Sequence, residues 1–225
     1  MDILMRFDKV RFSYGGKTVL DDVSFELGEG ERLGLSGSMG SGKTTLLRVA
    51  LGLLKADAGT IEIFGKTRRT EKDFRGIRGR VGLLFQDSDD QLFCPTVLED
   101  VAFGPLNMGR SVEEARRDAA EALKTVGLEG FEERITYRLS GGEKRLAALA
   151  TILAMKPEIL LLDEPGNGLD KNARARIMEL LPSLPQSMIL VSHDEELLDA
   201  VATRKMAMEN GAPKPIHGPT PSPSR

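Results

Sequence analysis

The residues best suited to chemistry form a glycine-rich loop, Gly37-Ser38-Met39-Gly40-Ser41-Gly42-Lys43-Thr44. Their order fits the pattern G-x-x-x-x-G-K-[ST], in which backbone N–H groups surround phosphates at the start of a helix. Lys43 would reach the β- and γ-phosphates, and the Thr44 hydroxyl would bind Mg²⁺, which prefers hard oxygen ligands. A glycine-rich surface turn is the alternative. An expected strand over residues 31–36 and an expected helix over 44–51 favour the nucleotide interpretation.

Two adjacent acids, Asp163 and Glu164, follow the apolar run Leu160-Leu161-Leu162. This pattern predicts a central strand whose carboxyl end carries both acids, at the edge where α/β sheets bind ligands. Asp163 would hold Mg²⁺, mostly through water, and Glu164 would orient the attacking water. Helix capping before a proline is the alternative for such a pair, and the phosphate loop makes it the weaker one.

His193 follows the next expected parallel strand, so it should lie at the same sheet edge as Glu164 and Lys43. From this position alone, a γ-phosphate contact and an ordinary surface histidine both remain open. A second anion-binding turn, Leu139-Ser140-Gly141-Gly142, opens another helix, although a simple N-cap also fits it. One nucleotide cannot easily use both turns, so a second subunit could supply this one across an interface.

The composition suits one domain with a sizeable core, since 40% of the 225 residues are hydrophobic. The formal net charge of −3 gives no general attraction to nucleic acid, so no nucleic-acid partner is expected. The longest apolar run, residues 146–155, is shorter than the ~20 residues of a membrane span, and residues 1–10 lack a secretory pattern. We therefore expect a cytoplasmic location. Cys94 is the only cysteine, and its apolar neighbours predict packing rather than reactivity.

Strand and helix patterns alternate along the chain. Residues 3–12 and 18–25 predict a hairpin around a Gly-Gly turn. Further strands are expected over 59–65, 81–85, 159–162 and 187–192, and helices over 96–103, 111–126, 143–155 and 170–181. The pattern predicts an α/β P-loop NTPase fold with a mostly parallel core sheet, a small antiparallel β subdomain and an inserted α-helical subdomain.

Taken together, these motifs resemble those of ATP-binding cassette (ABC) ATPases over about residues 5–210. By this resemblance Tyr14 stacks on adenine, the nucleotide-binding loop extends to Thr45, and Gln86 belongs to the glutamine loop. Ser140, Gly141 and Gly142 match the ABC signature, Gly168-Leu169-Asp170 the D-loop, and His193 the switch histidine. The resemblance implies ATP hydrolysis by Lys43, Gln86, Glu164 and His193, with Mg²⁺ bound by Thr44, Gln86 and Asp163. In this family two cassettes pair head to tail around two ATP molecules.

The resemblance also implies a division of the chain. Residues 1–86 would form the first part of the nucleotide-binding core with the antiparallel β subdomain, and residues 157–210 its second part. Residues 87–156 would form the helical signature subdomain. The proline-rich residues 211–225 are expected to be disordered, and His217 within them receives no role.

Within the family, residues 85–93 and 99–105 resemble the energy-coupling-factor (ECF) importers of the cobalt and nickel type. Such ATPases sit peripherally on the cytoplasmic face of the membrane. They bind a membrane coupling subunit beside the glutamine loop, and a small substrate-binding membrane subunit completes the complex. The solute, whether cobalt, nickel or a vitamin such as biotin, stays open, as does pairing with itself or with a related ATPase. Three acids, Asp87, Asp89 and Asp90, suggest either a solvated loop or an acidic groove for basic coupling helices.

Two positions depart from the family pattern. Glu143 stands where the signature usually has Gln, and its charge should weaken contact with the opposite nucleotide. Gly166 replaces the usual Thr or Ser and should loosen the D-loop without removing a catalytic group. Many cobalt-type relatives also carry a further C-terminal domain, which we do not expect here.

Two other classes of protein contain a phosphate-binding loop of this kind. An ABC ATPase working on DNA or ribosomes usually adds a long coiled coil or a second cassette, and the sequence shows neither these nor a strong basic patch. A P-loop small-molecule kinase would need neither the Ser140 turn nor Glu164. The sequence therefore predicts an ATPase that drives solute import through membrane partners.

Overall fold

The computed structural model describes residues 2–216. In chain order the strands are β1 (Ile3–Tyr14), β2 (Lys17–Gly28), β3 (Arg32–Gly37), β4 (Ala58–Ile63), β5 (Lys66–Arg68), β6 (Val81–Leu84), β7 (Ile159–Asp163), β8 (Ser187–Val191), β9 (Arg204–Glu209) and β10 (Ala212–Pro215). The helices are α1 (Lys43–Ala50), α2 (Glu71–Arg75), α3 (Val97–Asn107), α4 (Val112–Val126), α5 (Gly141–Leu153), α6 (Lys171–Ser183) and α7 (Glu195–Val201), with a 3₁₀ turn at Thr136–Arg138.

The larger sheet has the strand order β10-β9-β3-β8-β7-β6. All its neighbouring strands are parallel except the β9–β10 pair at one edge. Every residue of β7 and β8 is buried, because their side chains alternate between two apolar layers. Leu160 and Leu162 pack with the helices on one face, and Leu161 packs with α1 and the smaller sheet on the other. The mostly parallel core sheet is thus confirmed.

The smaller sheet is antiparallel, with the order β2-β1-β4-β5. Apolar residues alternate along β1 and β2, and Phe7 stacks on Phe25 with ring centroids 4.8 Å apart. This inner face packs against the core sheet and α1. The antiparallel β subdomain is therefore present as predicted, and it brings the β1–β2 turn close to the glycine-rich loop.

Helices α3, α4 and α5 fall within residues 87–156 and pack on one another around buried side chains such as Val101, Ala119 and Leu123. Each begins with a capping box, in which the hydroxyl of a Ser or Thr accepts a hydrogen bond from the backbone N–H of a glutamate three residues later. The carboxylate of that glutamate accepts a hydrogen bond from the backbone N–H of the Ser or Thr. The N-caps are Thr96, Ser111 and Ser140. Helix α5 begins at Gly141, two residues earlier than the sequence predicts.

The predicted tail needs a correction at its start. Disorder was expected from residue 211, but Ala212–Pro215 forms β10 at the edge of the core sheet. Prolines are tolerated at a sheet edge, where their missing N–H groups are not required. The backbone oxygen of Gly211 also accepts a hydrogen bond from Asp21 N at 3.0 Å. The rest of the predicted tail, residues 217–225 with His217, lies outside the described residues.

Four further short elements that the sequence analysis did not predict complete the fold: β5, α2, α7 and β9. No helix within residues 2–216 has both the length and the apolar character that a bilayer span requires.

Candidate active site

The glycine-rich loop connects the end of β3 with the start of α1, as its motif requires. Gly42 has φ +100°, and a Cβ there would lie 2.9 Å from the backbone oxygen of Val19. Both the backbone conformation and the close approach therefore demand glycine. The Lys43 ammonium donates to the backbone oxygens of Gly37 at 2.8 Å and Ser38 at 3.0 Å. The loop thus wraps around a cation, which suits it to bind anions.

One cavity of about 620 Å³ gathers most of the predicted site residues. Its lining includes Asn167, which the sequence analysis did not single out. The predicted residues that line it are Tyr14, Gly37, Ser38, Met39, Gly40, Ser41, Gly42, Lys43, Thr44, Thr45, Gln86, Asp163, Glu164 and His193.

Tyr14 lies at the end of β1, where the hairpin turns over this cavity. Its ring meets Phe12 edge-on with centroids 4.7 Å apart, and 48% of the residue is exposed. An aromatic ring held at its edge and open on a face is able to stack on a planar base.

Asp163 ends β7 and is only 3% exposed. Burial raises the pKa of its carboxyl group; the Thr44 hydroxyl opposes this increase by hydrogen bonding, and the Glu164 charge adds to it. Its Oδ1 atom has no hydrogen-bond partner within residues 2–216. A buried, unpartnered carboxylate oxygen beside a threonine hydroxyl fits Mg²⁺, and the Gln86 amide lines the same cavity. These side chains fit a metal site that nucleotide phosphates would complete.

Glu164 is nearly buried and has φ +50°, a backbone conformation that L-residues seldom adopt. Its N–H donates to the Val191 backbone oxygen at 2.9 Å, which ties it to the end of β8. The Glu164 Oε2 atom lies 2.9 Å from His193 Nδ1 and accepts from the His193 backbone N–H at 3.3 Å. When Nδ1 carries the proton, Nε2 stays available for a ligand. The carboxylate is therefore held where it could take a proton from a water molecule.

The turn Ser140–Gly142 lies elsewhere. Ser140 and Gly142 are absent from the lining of the 620 Å³ cavity beside the glycine-rich loop, and Gly141 lines an adjoining cavity of about 590 Å³. A Cβ on Gly142 would lie 2.5 Å from Ala173 Cβ, so glycine is needed where α5 meets α6. Within one chain, the signature turn and the glycine-rich loop do not form a single nucleotide site.

Glu143 makes contacts within its own chain. Its Oε2 accepts from the Ser140 N–H at 2.8 Å, and its Oε1 lies 3.2 Å from Arg134 Nη1. The Ser140 backbone hydrogen bond is the largest cause that lowers the pKa of Glu143, and the Arg134 charge acts in the same direction. Arg134 thus partly offsets the charge that was expected to weaken contact with an opposite nucleotide.

For the three acids of residues 87–90, a solvated loop and an acidic groove were both possible from the sequence. Asp87, Asp89 and Asp90 line the adjoining cavity, whose lining also includes Thr44 and Asp163. The Asp87 carboxylate accepts from the Asp89 N–H at 2.9 Å, and Asp89 pairs with the Lys144 ammonium at 2.6 Å. The loop is therefore partly neutralised by the protein itself.

Cys94 behaves as a packed thiol. Burial, together with the nearby charge of Asp100, raises its pKa to about 11. The thiolate is therefore scarce near neutral pH, as the packing interpretation of the sequence requires.

Several side chains that support the site carry no local sequence signal. Arg174 of α6 binds Asp194, the residue after His193, with Nη2 2.8 Å from Oδ2. Asp194 in turn caps α7 through the Leu197 N–H. Arg145 of α5 is buried and donates to the backbone oxygens of Phe85 and Gln86. The contacts of Arg174 and Arg145 join segments that are distant in sequence, so they become visible only in the three-dimensional structure.

The chain is similar to known proteins over most of its length. The sequence model of a family described as "ABC transporter" matches residues 20–167. An uncharacterised ABC transporter ATP-binding protein of Haemophilus influenzae is 45% identical over 193 residues, covering 86% of this chain and 89% of that protein. The energy-coupling factor transporter ATP-binding protein EcfA2 of Methanospirillum hungatei is 42% identical over 216 residues, covering 94% of this chain but 54% of that protein.

Two solved structures are similar over nearly the whole chain. The structure of cbiO1 from Clostridium perfringens, described as part of the ABC transporter complex cbiONQ, has a TM-score of 0.85 and 32% identity, covering 95% of this chain and 88% of its own. The ATP-binding cassette MJ0796, in a dimeric post-hydrolysis state bound to ADP and Pi, has a TM-score of 0.85 and 27% identity, covering 96% of this chain and 100% of its own.

Proposed function

The chain belongs to the ABC transporter family of ATP-hydrolysing subunits, and from this premise we propose that it powers an importer of the energy-coupling-factor type. The imported solute is a metal ion such as cobalt or nickel, or a vitamin such as biotin. The similarity to EcfA2 and to cbiO1 supports this importer class. The chain would work at the cytoplasmic face of the membrane as a peripheral subunit. The observation that carries the proposal is a groove beside Gln86 that is lined by the exposed rings of Phe93 and Phe103.

The proposed reaction is the hydrolysis of ATP to ADP and phosphate. Lys43 and the loop N–H groups bind the phosphates, and Tyr14 stacks on adenine. Thr44, Gln86 and Asp163 hold Mg²⁺, which neutralises phosphate charge when bound. Glu164 accepts a proton from the attacking water, and its contact with His193 keeps both side chains at the γ-phosphate end of the cavity.

A second cassette would complete the site. Ser140, Gly141 and Gly142 lie at the start of α5, apart from the glycine-rich loop of the same chain. A helix N-terminus with free N–H groups suits a phosphate supplied by a partner. The dimeric MJ0796 structure, bound to ADP and Pi, supports a head-to-tail pair. The partner is a second copy of this chain or a related ATPase.

The groove beside Gln86 is a cavity of about 690 Å³ between the core sheet and the helices. Phe93 and Phe103 line it and contact each other edge-on, with centroids 4.9 Å apart. They are 65% and 46% exposed, and Met108 beside them is 48% exposed. Clustered apolar side chains at a surface indicate a protein-interaction site. Phe85, the neighbour of Gln86, also lines the groove, so an occupant would lie next to the nucleotide site.

The charges of the groove specify its occupant further. Arg75, Arg78 and the buried Asp100 line it. Asp100 accepts hydrogen bonds from the Phe93 and Cys94 N–H groups, and Glu71 pairs with Arg78 at 2.6 Å, so Arg75 is the cation open to an occupant. The acids 87, 89 and 90 line the other cavity instead. We therefore propose that a helix of the membrane coupling subunit docks here through apolar residues, with an acidic or neutral side chain near Arg75.

The test is to purify the tagged full chain from detergent-solubilised membranes and to identify the accompanying proteins. We expect two membrane proteins, a coupling subunit and a smaller one that contains a bound metal ion or vitamin. The double variant Phe93→Ser/Phe103→Ser should lose both partners and keep basal ATP hydrolysis. Tyr137→Ser is the matched control, because Tyr137 is a 72% exposed aromatic outside the groove. Recovery of only non-membrane proteins or nucleic acid would refute the importer proposal.

A further inference from the structure

Arg145 is a buried cation close to the nucleotide site. It belongs to α5, is 5% exposed and lines the cavity that contains Thr44, Gln86 and Asp163. Its Nη1 donates to the Phe85 backbone oxygen at 2.6 Å, and its Nη2 to the Gln86 backbone oxygen at 2.5 Å. Both contacts go to the main chain rather than to a carboxylate.

The same loop is also held from a second side. The Gln91 Oε1 atom accepts from the Phe85 N–H at 3.3 Å. The Gln91 amide nitrogen donates to the Ala148 backbone oxygen at 2.9 Å and to the Thr151 hydroxyl at 2.8 Å. Arg145, Ala148 and Thr151 are three residues apart along α5, which places them on one face of the helix. Two hydrogen bonds from Arg145 and one to Gln91, which Ala148 and Thr151 of the same helix hold in place, therefore fix the main chain of residues 85–86.

Burying a guanidinium group is unfavourable unless its donors gain suitable partners. Burial accordingly lowers the pKa of Arg145, while the charges of Asp87 and Asp163 oppose that change. The Nε atom gains no hydrogen-bond partner within residues 2–216. The planar fork of an arginine matches two adjacent acceptors, and a lysine ammonium cannot reproduce that geometry. The arrangement is specific for arginine and acts on two consecutive carbonyls, one of which belongs to Gln86.

We propose that Arg145 is a positioning residue that fixes Gln86 at the nucleotide site and makes its position follow helix α5. The inference rests on the proposed role of Gln86 in hydrolysis. Phe85 and Thr151 also line the groove proposed for the coupling subunit. A partner seated there therefore contacts the same loop and helix that Arg145 joins, which gives docking a direct route to Gln86.

A double-mutant cycle tests this inference. ATP hydrolysis by the purified full chain is measured against Mg²⁺ concentration for Arg145→Lys, Gln86→Ala and the double variant. We expect Arg145→Lys to lower kcat roughly tenfold, the effect of losing one charged hydrogen bond, and to raise the Mg²⁺ concentration for half-maximal rate. The double variant should be within about twofold of Gln86→Ala alone, because Arg145 acts through Gln86.

Arg32→Lys is the matched control. The Arg32 Nη2 atom donates to the backbone oxygens of Pro182 at 2.9 Å and Leu184 at 3.0 Å, and its Nε also has no partner within residues 2–216. Arg32 opens β3, at the end of the strand away from the glycine-rich loop. This variant should lower the unfolding temperature and leave kcat and the Mg²⁺ dependence unchanged.

Three results would overturn the inference. The effects of Arg145→Lys and Gln86→Ala could multiply in full, Arg145→Lys could change only the unfolding temperature, or Arg32→Lys could shift the Mg²⁺ dependence equally. Wild-type kinetics for Gln86→Ala would instead refute the role given to Gln86, and with it the inference. Failure of the importer proposal would be seen separately, as an absence of membrane partners in the purification.

Discussion

Replacing Glu164 by Gln is the sharpest test of the hydrolysis site. The substitution keeps the size and shape of the side chain and removes its charge and its capacity to take a proton. In the unsubstituted chain, Glu164 Oε2 lies 3.3 Å from the His193 backbone nitrogen and 2.9 Å from His193 Nδ1. The amide oxygen of glutamine can still accept both hydrogen bonds. The strained backbone at φ +50° is unchanged, because the new side chain does not alter it. We therefore expect ATP binding to persist.

The expected loss of activity follows from the role proposed for Glu164 as general base. A positioned general base contributes about 10²- to 10⁴-fold to a rate. Each factor of ten corresponds to about 1.4 kcal/mol, so the activation free energy should rise by roughly 3–5 kcal/mol and kcat should fall by the same 10²- to 10⁴-fold. The contacts of Glu164 with Val191 and His193 keep its position fixed, so the loss reflects chemistry rather than misplacement.

The assay combines phosphate release, equilibrium ATP binding and light scattering of the full chain with ATP and Mg²⁺. We expect slow phosphate release, wild-type ATP affinity and a dimer that persists with ATP. Glu158→Gln is the matched control, because Glu158 immediately precedes β7 and pairs with Arg80 at 2.5 Å on the surface. That variant should keep kcat and change the free energy of unfolding by no more than about 1 kcal/mol.

Two outcomes would refute this reasoning. Hydrolysis at the wild-type rate would show that Glu164 is not the base. Loss of ATP binding would show that its carboxylate serves the structure of the site rather than the reaction.

Burial raises the pKa of the Asp163 carboxyl group, so the folded chain binds the carboxyl proton more tightly than the unfolded chain. The stability that this proton contributes is present below the unfolded pKa and is lost as pH rises through the folded pKa. Calorimetry of the nucleotide-free chain should therefore show Asp163→Asn raising the unfolding temperature, more at pH 7.5 than at pH 5, while Mg²⁺-dependent hydrolysis falls. Arg134→Ala leaves Glu143 without its ion-pair partner and should raise the KM for ATP by up to about fivefold. Adding Glu143→Gln to Arg134→Ala should return the KM to the wild-type value. The role of this pair would be contradicted by a wild-type KM for Arg134→Ala, or by a double variant with the same KM as Arg134→Ala.

The sequence predicts best those features whose residues are neighbours in the chain. The glycine-rich loop requires a fixed spacing between Gly37 and Thr44, which can be recognised in the sequence. The strand before Asp163 is buried on both faces, so it is recognisable as a continuous apolar run. These two patterns locate the core sheet and most residues of the nucleotide cavity. Both strand alternation in the hairpin and capping boxes such as the one at Ser111 work in the same way.

Features that depend on distant contacts were not predictable. Arg145 follows Lys144 in a helix, a pattern typical of an exposed face, and only the loop at residues 85–86 explains its burial. Strand β10 contains prolines, so composition favours disorder there, yet pairing with β9 orders residues 212–215. The position of the acidic loop also depends on packing, because Lys144 of α5 draws Asp89 towards the nucleotide side.

Two of the unsatisfied buried polar atoms among residues 2–216 lie where a substrate would complete them. Proteins satisfy nearly all buried polar groups, so each exception requires a reason. Among residues 2–216, three such atoms belong to residues that line the nucleotide cavity or the adjoining one: Ser41 Oγ, Arg145 Nε and Asp163 Oδ1. A bound nucleotide with its metal ion would supply partners for Ser41 and Asp163. Nucleotide binding should therefore stabilise the fold more than it would if these atoms already had hydrogen-bond partners. Replacing Asp163 with a neutral residue should raise the stability of the nucleotide-free chain, so we infer that this residue is kept for the reaction rather than for folding.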